Sequence, residues 1–323
     1  MMRRFFKYLA LSLPLLAGTV GAQDSYPSKP ITIILPFGAG SGTDAIVRTF
    51  SEKMARNLKQ PVVIDYKVGA SGQIAAETAA RAAPDGYTIM VGTNSTHSAN
   101  PYLFKSLRYD PNKDFVPIGR ITLNPLALLV RADSQFKTVA DLVRFGRDNP
   151  GKLNFGYGNT GGQVAGAMIQ NIGKFKAIGV PYKSTPQVFT DMMGGLIDFT
   201  FVDFAASSAL IDGGKIRPLA VSTAKRLPVQ PNLPTMRETP GLEEFELVSW
   251  IGFIAPAGTP RAITNRLNSE LRTVLEDPEV KDRLEGRMGS IVETTTLDEF
   301  AAFMRAQDAI WKRRIAEAGI NPE

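Results

Sequence analysis

The 323-residue chain has no cysteine. Disulfides, thiolate metal sites and catalytic thiols are excluded, as is the acylated cysteine that tethers a bacterial lipoprotein. Histidine is almost as scarce, with His97 the single example. A serine triad would have to recruit that one imidazole. No HExxH pair, EF-hand loop or GxSxG elbow occurs either. Past residue 22 there is no run of about 18 apolar residues, so that part of the chain offers no membrane-spanning helix. Long basic runs are missing too. Half of the formal charge of +6 comes from Arg3, Arg4 and Lys7, within the first 22 residues. Nucleic acid is not implied, and a mildly basic surface favours small anions.

What the first 22 residues do hold is an export signal. Arg3, Arg4 and Lys7 form a basic start, Tyr8 to Val20 is an apolar stretch too short to span a bilayer, and Val20-Gly21-Ala22 offers a small-residue cleavage site. The expected mature chain begins at Gln23. An uncleaved anchor is the alternative, and the short apolar run argues against it. A cysteine-free exported chain of this size points to a soluble protein of the Gram-negative periplasm, which offers no pool of nucleotide cofactor.

The most informative stretch is ITIILPFGAGSGTDAIVRTF, from Ile31 to Phe50. Ile31, Ile33, Ile34 and Leu35 read as a buried strand, and Gly38, Gly40 and Gly42 follow at once. Thr43 and Asp44 can cap a helix with Ile46, Val47, Phe50 and Met54 on one face. A glycine-rich turn of this kind leaves backbone N–H groups unpaired at the positive end of a helix dipole, a place to hold an anion. A P-loop would need Gly-Lys-Ser/Thr, but Thr43 and Asp44 follow Gly42. A dinucleotide fingerprint matches at Gly38 and Gly40, yet Thr43 takes its sixth place, although Asp65 stands where a ribose ligand would. No acid–base pair or metal cluster accompanies the motif. It reads as binding without a cofactor.

Apolar runs alternate with helical ones, which predicts an α/β fold with mainly parallel sheets. Strands are expected at 31–35, 61–65, 87–92, 126–131, 153–156, 178–180, 197–202, 217–222 and 248–254. Helices are expected at 44–58, 73–83, 138–147, 163–172, 186–193, 205–213, 261–276, 278–286 and 297–318. Residues 225–247, with four prolines, read as an irregular crossing between lobes. Several strands end in small-polar loops that open helices: GAGSGTD, VGASGQ (68–73), GTNSTHS (92–98) and GYGNTGGQ (156–163). Ligands of open parallel sheets bind at such carboxyl ends. Two lobes presenting these loops to each other would enclose a solute, as a periplasmic binding protein does.

Motifs in order along the chain then identify a family. They include KPITIILPFGAGSGTD (29–44), APDGYTIMVGTNSTHSANPYL (83–103), YDPNKDFVPIG (109–119), NPGKLNFGYGN (149–159), VPYKSTP (180–186), GGLIDFTFVD (194–203), AVSTAKR (220–226), LPTMRE (233–238) and WIGFIAPAGTP (250–260). From Tyr26 to Asn321 the chain resembles the Bug-type substrate-binding proteins of tripartite tricarboxylate transporters. The resemblance implies a type II-like, two-lobed periplasmic-binding-protein fold, each lobe a mainly parallel sheet flanked by helices. Residues 23–124 plus 249–323 would form lobe 1 and 125–248 lobe 2. It also implies a small carboxylate ligand, di- or tricarboxylate or aromatic acid, and a membrane transporter with one large and one small integral subunit. We expect a monomer. Carried over, the ligand set is Phe37, Gly38, Ala39, Gly40, Ser41, Thr43 and Asp44 from the first loop and Thr93, Asn94, Ser95, Thr96 and His97 from the second. The far lobe would add Asn159, Thr160, Gly161, Tyr182, Asp203 and Phe204. Val68, Gln163 and Ser184 depart from the usual proline, histidine and glycine, the last two near the cleft.

Other roles are open for several of these residues. His97 can be a base or switch, or a capping or ligand-adjacent imidazole. Asp44 can repel an anion or cap the first helical turn. Asp203 can receive a ligand group or hold a loop, and Lys183 reads as a solvated strut. Phe37, Tyr157 and Phe204 can stack on an aromatic solute or pack the cleft wall. A sensor of a membrane kinase would use the same binding site. A periplasmic hydrolase is the remaining reading, since Ser134…Lys137 and Ser222…Lys225 match SxxK. Its SDN and KTG companions are missing.

Overall fold

The structure, a computed structural model, describes residues 26–322, so the expected export signal lies outside the described residues. The order opens with β1 (Ile31–Leu35), α1 (Gly42–Leu58), β2 (Val62–Tyr66), α2 (Gln73–Ala80) and β3 (Thr88–Thr93). A wide π-type turn, Ser95–Ala99, winds straight into the short α3 (Asn100–Leu103). The long strand β4 (Phe115–Arg131) follows. Next come α4 (Val139–Asp148), β5 (Leu153–Tyr157), α5 (Thr160–Gly173), β6 (Ala177–Pro181) and α6 (Thr185–Met193). Then come β7 (Phe199–Asp203), α7 (Phe204–Asp212) and β8 (Ile216–Val221). The proline-rich connection carries a 3-10 turn, Met236–Glu238, before β9 (Val248–Pro256). The chain ends with α8 (Arg261–Leu275), α9 (Pro278–Lys281), a second π-type turn, β10 (Ile291–Val292) and α10 (Leu297–Glu317).

Strand neighbours run β2-β1-β3-β9-β4-β7-β5-β6, and β8 and β10 also pair with β4. β1 lies parallel to β2 and β3, and β5 lies parallel to β6 and β7. Every pairing of β4 and β9 is antiparallel. The sheet is therefore mixed, and the expected parallel pairing is confined to its two wings. The chain leaves the first wing along β4 and returns along β9, so these strands must oppose each other. Phe115 to Pro125 pair with β9, whereas Leu126 to Val130 pair with β7.

Local signals explain most elements. β1 is buried on both faces between layers of helix, as a parallel wing strand should be. α1 starts at Ser41, whose hydroxyl accepts from the Asp44 amide, and it buries Ile46, Val47, Phe50, Met54 and Leu58. α4 and α10 open on reciprocal capping boxes, Thr138 with Asp141 and Thr296 with Glu299. α10 straddles the sheet. Its Phe300 meets Trp250 edge-on, while Trp311 and Ile315 pack among Val164, Met168 and Ile169 of α5. Among the described residues no helix is long and apolar enough to cross a membrane.

Candidate ligand site

The carboxyl ends of β1, β2, β5 and β6 face one another across a cavity of about 320 Å³. Its walls include Phe37, the run Gly69–Gly72, Phe104, Tyr157, Asn159 and Tyr182. A larger cavity, about 1150 Å³, opens between residues 223–229 and 278–291. It lies away from the carboxyl ends of the parallel wing strands β1, β2, β5 and β6, so the smaller one is the candidate ligand site.

The first loop is wired to present backbone. Asp44 Oδ2 accepts from the Gly40 amide at 2.8 Å, and Oδ1 accepts from Arg48 Nε at 2.8 Å and Tyr66 Oη at 2.6 Å. Its carboxylate thus turns back onto the loop amide, not the helix amides, and its charge is matched by Arg48. The first-turn amides of α1, those of Gly42 and Thr43, point out of the helix end as such amides do. The opposite wing presses on this loop. A Cβ on Gly42 would lie 2.9 Å from Asp203 Cβ, which only glycine permits. Gly40, at φ +80, lies where a Cβ would come 3.3 Å from Pro186 Cγ.

The second loop is itself wound into helix rather than ending before one. Thr93 to His97 are all buried, and Thr93 and Thr96 exchange amide-to-hydroxyl bonds of 3.1 and 3.2 Å. These hydroxyls satisfy the amides that β3 leaves at its end, which lets a polar stretch wind inside the protein. His97 faces the core, edge-on to Phe115 at 4.8 Å between ring centres, and its Nδ1 lies 2.8 Å from the Thr96 hydroxyl. Burial lowers its pKa to about 3, so it is neutral at physiological pH.

From the opposite wing, Asn159 caps α5 by accepting from the Gly162 amide at 2.9 Å, and Asn94 Nδ2 lies 3.6 Å from where a Gly161 Cβ would sit. The Tyr182 hydroxyl donates to Asp191 at 2.7 Å, which fixes its ring on the wall. Asp203 ends β7 with Oδ1 accepting from the Ser249 hydroxyl, and burial raises its pKa to about 6.

Of the residues expected from sequence, Phe37, Asn159 and Tyr182 line the cavity. Gly38, Ala39, Gly40, Ser41, Thr43, Asp44, Asn94, Gly161 and Asp203 build the loops around it without lining it, and Thr160 lies buried behind Asn159. His97 and Phe204 do not line it either. Phe204 packs in the core with Phe189 and Leu227. The ligand set carried over from the resemblance omits Gly69–Gly72 and Phe104. The small-polar run VGASGQ was a usable signal for the former; nothing local marked the latter. The SxxK pairs are not arranged as nucleophile and base. Ser222 is fully buried, accepting from the Leu126 amide and donating to the Leu247 carbonyl, while Lys137 Nζ donates to the Ser134 carbonyl rather than its hydroxyl.

Three solved proteins share this architecture. Rpa4515 of R. palustris, solved with adipate, superposes with a TM-score of 0.90 at 31% identity, covering 92% of this chain and 100% of that one. The periplasmic binding protein BugD gives 0.87 at 30% identity over 92% and 100%. MatC of Rhodopseudomonas palustris, solved with malate, gives 0.84 at 29% identity over 90% and 100%. Residues 46–320 match the family described as "Tripartite tricarboxylate transporter family receptor". The chain therefore belongs to the tripartite tricarboxylate transporter receptor family, as a Bug-type solute-binding protein.

Proposed function

We propose that this protein is a periplasmic receptor that closes two lobes, 23–124 with 249–323 and 125–248, on a small carboxylate. It then hands the anion to a transporter with one large and one small membrane subunit. The observation that carries this reading is the cavity between strand ends, walled by Phe37 and Gly69–Gly72 from one wing and by Tyr157, Asn159 and Tyr182 from the other. A charge-assisted hydrogen bond contributes roughly 1.5–3 kcal/mol. About four of them, discounted for ordering and desolvation, suffice for micromolar affinity near −8 kcal/mol. The adipate bound to Rpa4515 and the malate bound to MatC support the ligand class.

The lining narrows the class further. Phe37, Phe104, Tyr157 and Tyr182 give it aromatic walls, and Lys183 is its one cationic side chain. Among the described residues that line it there is no carboxylate, so the ammonium of an amino acid finds no counter-charge. Carboxylates with an apolar or flat body and no amino group fit best. The test is a thermal-shift series on the mature protein with adipate, malate, benzoate and glutamate. A ligand at a hundred times its Kd stabilises by about 2.7 kcal/mol. Adipate or benzoate should shift the melting temperature more than glutamate does. If no carboxylate shifts folded protein stripped of carried-over ligand, the receptor reading is wrong.

A further inference from the structure

One wall of the cavity is held in an unfavourable conformation. Gly69, Ala70, Ser71 and Gly72 have φ of +132, +46, +50 and +85. For glycine this is free, but Ala70 and Ser71 carry a Cβ into the left-handed region, which costs each of them free energy. Such a wall persists only if its surroundings hold it.

The holder is Asn100, which is fully buried. Its Nδ2 donates to the Ser71 carbonyl at 3.1 Å and to the Tyr109 hydroxyl at 3.3 Å. Tyr109 in turn donates to the Thr96 carbonyl at 2.7 Å, in the π-type turn. Asn100 Oδ1 accepts from the Thr160 hydroxyl at 3.4 Å, and Thr160 opens α5 on the opposite wing, next to Asn159. A carbonyl can only accept, so the Ser71 contact fixes which end of the amide is nitrogen. Separately, the Asn100 backbone carbonyl accepts from the Phe104 amide at 3.1 Å, and Phe104 is another wall residue. One buried side-chain amide therefore contacts the strained wall and the far-side helix start directly, and the second loop through Tyr109.

We propose that Asn100 is a positioning residue: it holds the left-handed Ala70–Ser71 wall in shape, and Thr160 of the opposite wing orients it by a direct buried hydrogen bond, so that wall shape and wing closure are linked. This inference rests on the cavity being the ligand site, but its test does not. The measurement is amide hydrogen exchange of residues 69–73 in the unliganded protein, compared with β1 and β9 as internal standards. Asn100→Ala should exchange about tenfold faster at the wall with the strand amides unchanged. Adding Ser71→Gly should return most of the protection, because glycine adopts φ near +50 without a pin. A residue that merely stabilises the core would not be rescued in this way. Thr160→Val, close to isosteric, should give a smaller rise of about threefold at the wall. Where adipate binds the wild type, Thr160→Val should also release it several-fold faster.

Unchanged wall exchange in Asn100→Ala overturns the proposal, as does a double variant that exchanges as fast as Asn100→Ala alone. If Asn100→Ala does not fold, Thr160→Val decides, and a wild-type wall rate there is the refuting result. Failure of every carboxylate to bind would remove the receptor reading while leaving the exchange result to stand or fall by itself.

Discussion

Replacing Asp203 by asparagine tests the electrostatics of the cleft with one atom changed. Burial is the main cause that raises this carboxyl from 3.8 to about 6, and the Ser249 hydroxyl bond opposes it in part. A group whose folded pKa lies above its unfolded one favours the folded state when protonated. Its contribution is fully present below about pH 4 and is lost as pH rises through about 6, so at pH 7 the ionised group is a net cost. At 1.36 kcal/mol per tenfold, the rise from 3.8 to about 6 corresponds to about 3 kcal/mol. Asp203 keeps some exposure at the cleft, which lowers the expected figure to roughly 1–2 kcal/mol. Asparagine retains the oxygen that accepts from Ser249 and cannot ionise. Asp203→Asn should therefore be more stable than wild type in urea at pH 7, with the gap closing by pH 4.5. A variant that is less stable at pH 7 with no pH dependence would show that the carboxylate is favoured by the α1 amides, and the burial argument would be wrong.

Two other outcomes follow from the same geometry. Gly40→Asp brings a side chain to φ +80 and against Pro186 of the opposite wing, and sets a negative charge beside the amides of α1. Calorimetry with adipate or benzoate should show affinity reduced at least a hundredfold; wild-type affinity would remove the first loop from the anion site. His97, held neutral by burial, should give carboxylate binding no pH dependence of its own between pH 5.5 and 8. His97→Gln should leave that pH profile unchanged, and a flattened profile would mean that the imidazole does titrate near the ligand.

The parts of the fold that sequence made legible are those whose signals are local. The β1–α1 unit announces itself by an apolar run, a cap and a helical stripe, all within twenty residues of one another. The first half of β4 does not. Pro117, Gly119 and Pro125 break the strand signal, yet the strand tolerates them because its register slips between Pro117 and Gly119 and Pro125 sits at the end of the pairing with β9. The run GTNSTHS reads as a loop that precedes a helix but is itself wound into helix, because its hydroxyls replace water as partners and let a polar stretch be buried. At the site, the glycine-rich loop, the run VGASGQ and Phe37, Tyr157 and Tyr182 were visible, and the packing that joins them into one wall was not. Phe104 reaches the cavity because α3 turns the chain there, and Ser71 because Asn100 holds it, and neither relation has a spacing in the sequence.

The acids nearest the first loop show why counting charges in the sequence misjudges a site like this one. Asp44 and Asp203 lie beside amides suited to an anion, and both look repulsive on paper. Asp44 is matched by Arg48 and tied to Tyr66 and to the Gly40 amide, so its charge serves to shape the loop. Asp203 is treated in the opposite way, through a setting that disfavours its ionised form. Arg48 matches the charge of Asp44, so that acid does not cancel the positive end of α1, and the first loop carries no lysine or arginine of its own. Neutral donors hold an anion less tightly than a buried cation would, which suits the release that the proposed role requires. On the proposed reading, backbone amides that do not distinguish one carboxylate from another leave discrimination between solutes to the shape of the wall. That makes Phe37, Phe104, Tyr157 and Tyr182, together with the pinned run Gly69–Gly72, the residues whose exchange should change which carboxylate is bound while leaving the preference for a carboxylate intact.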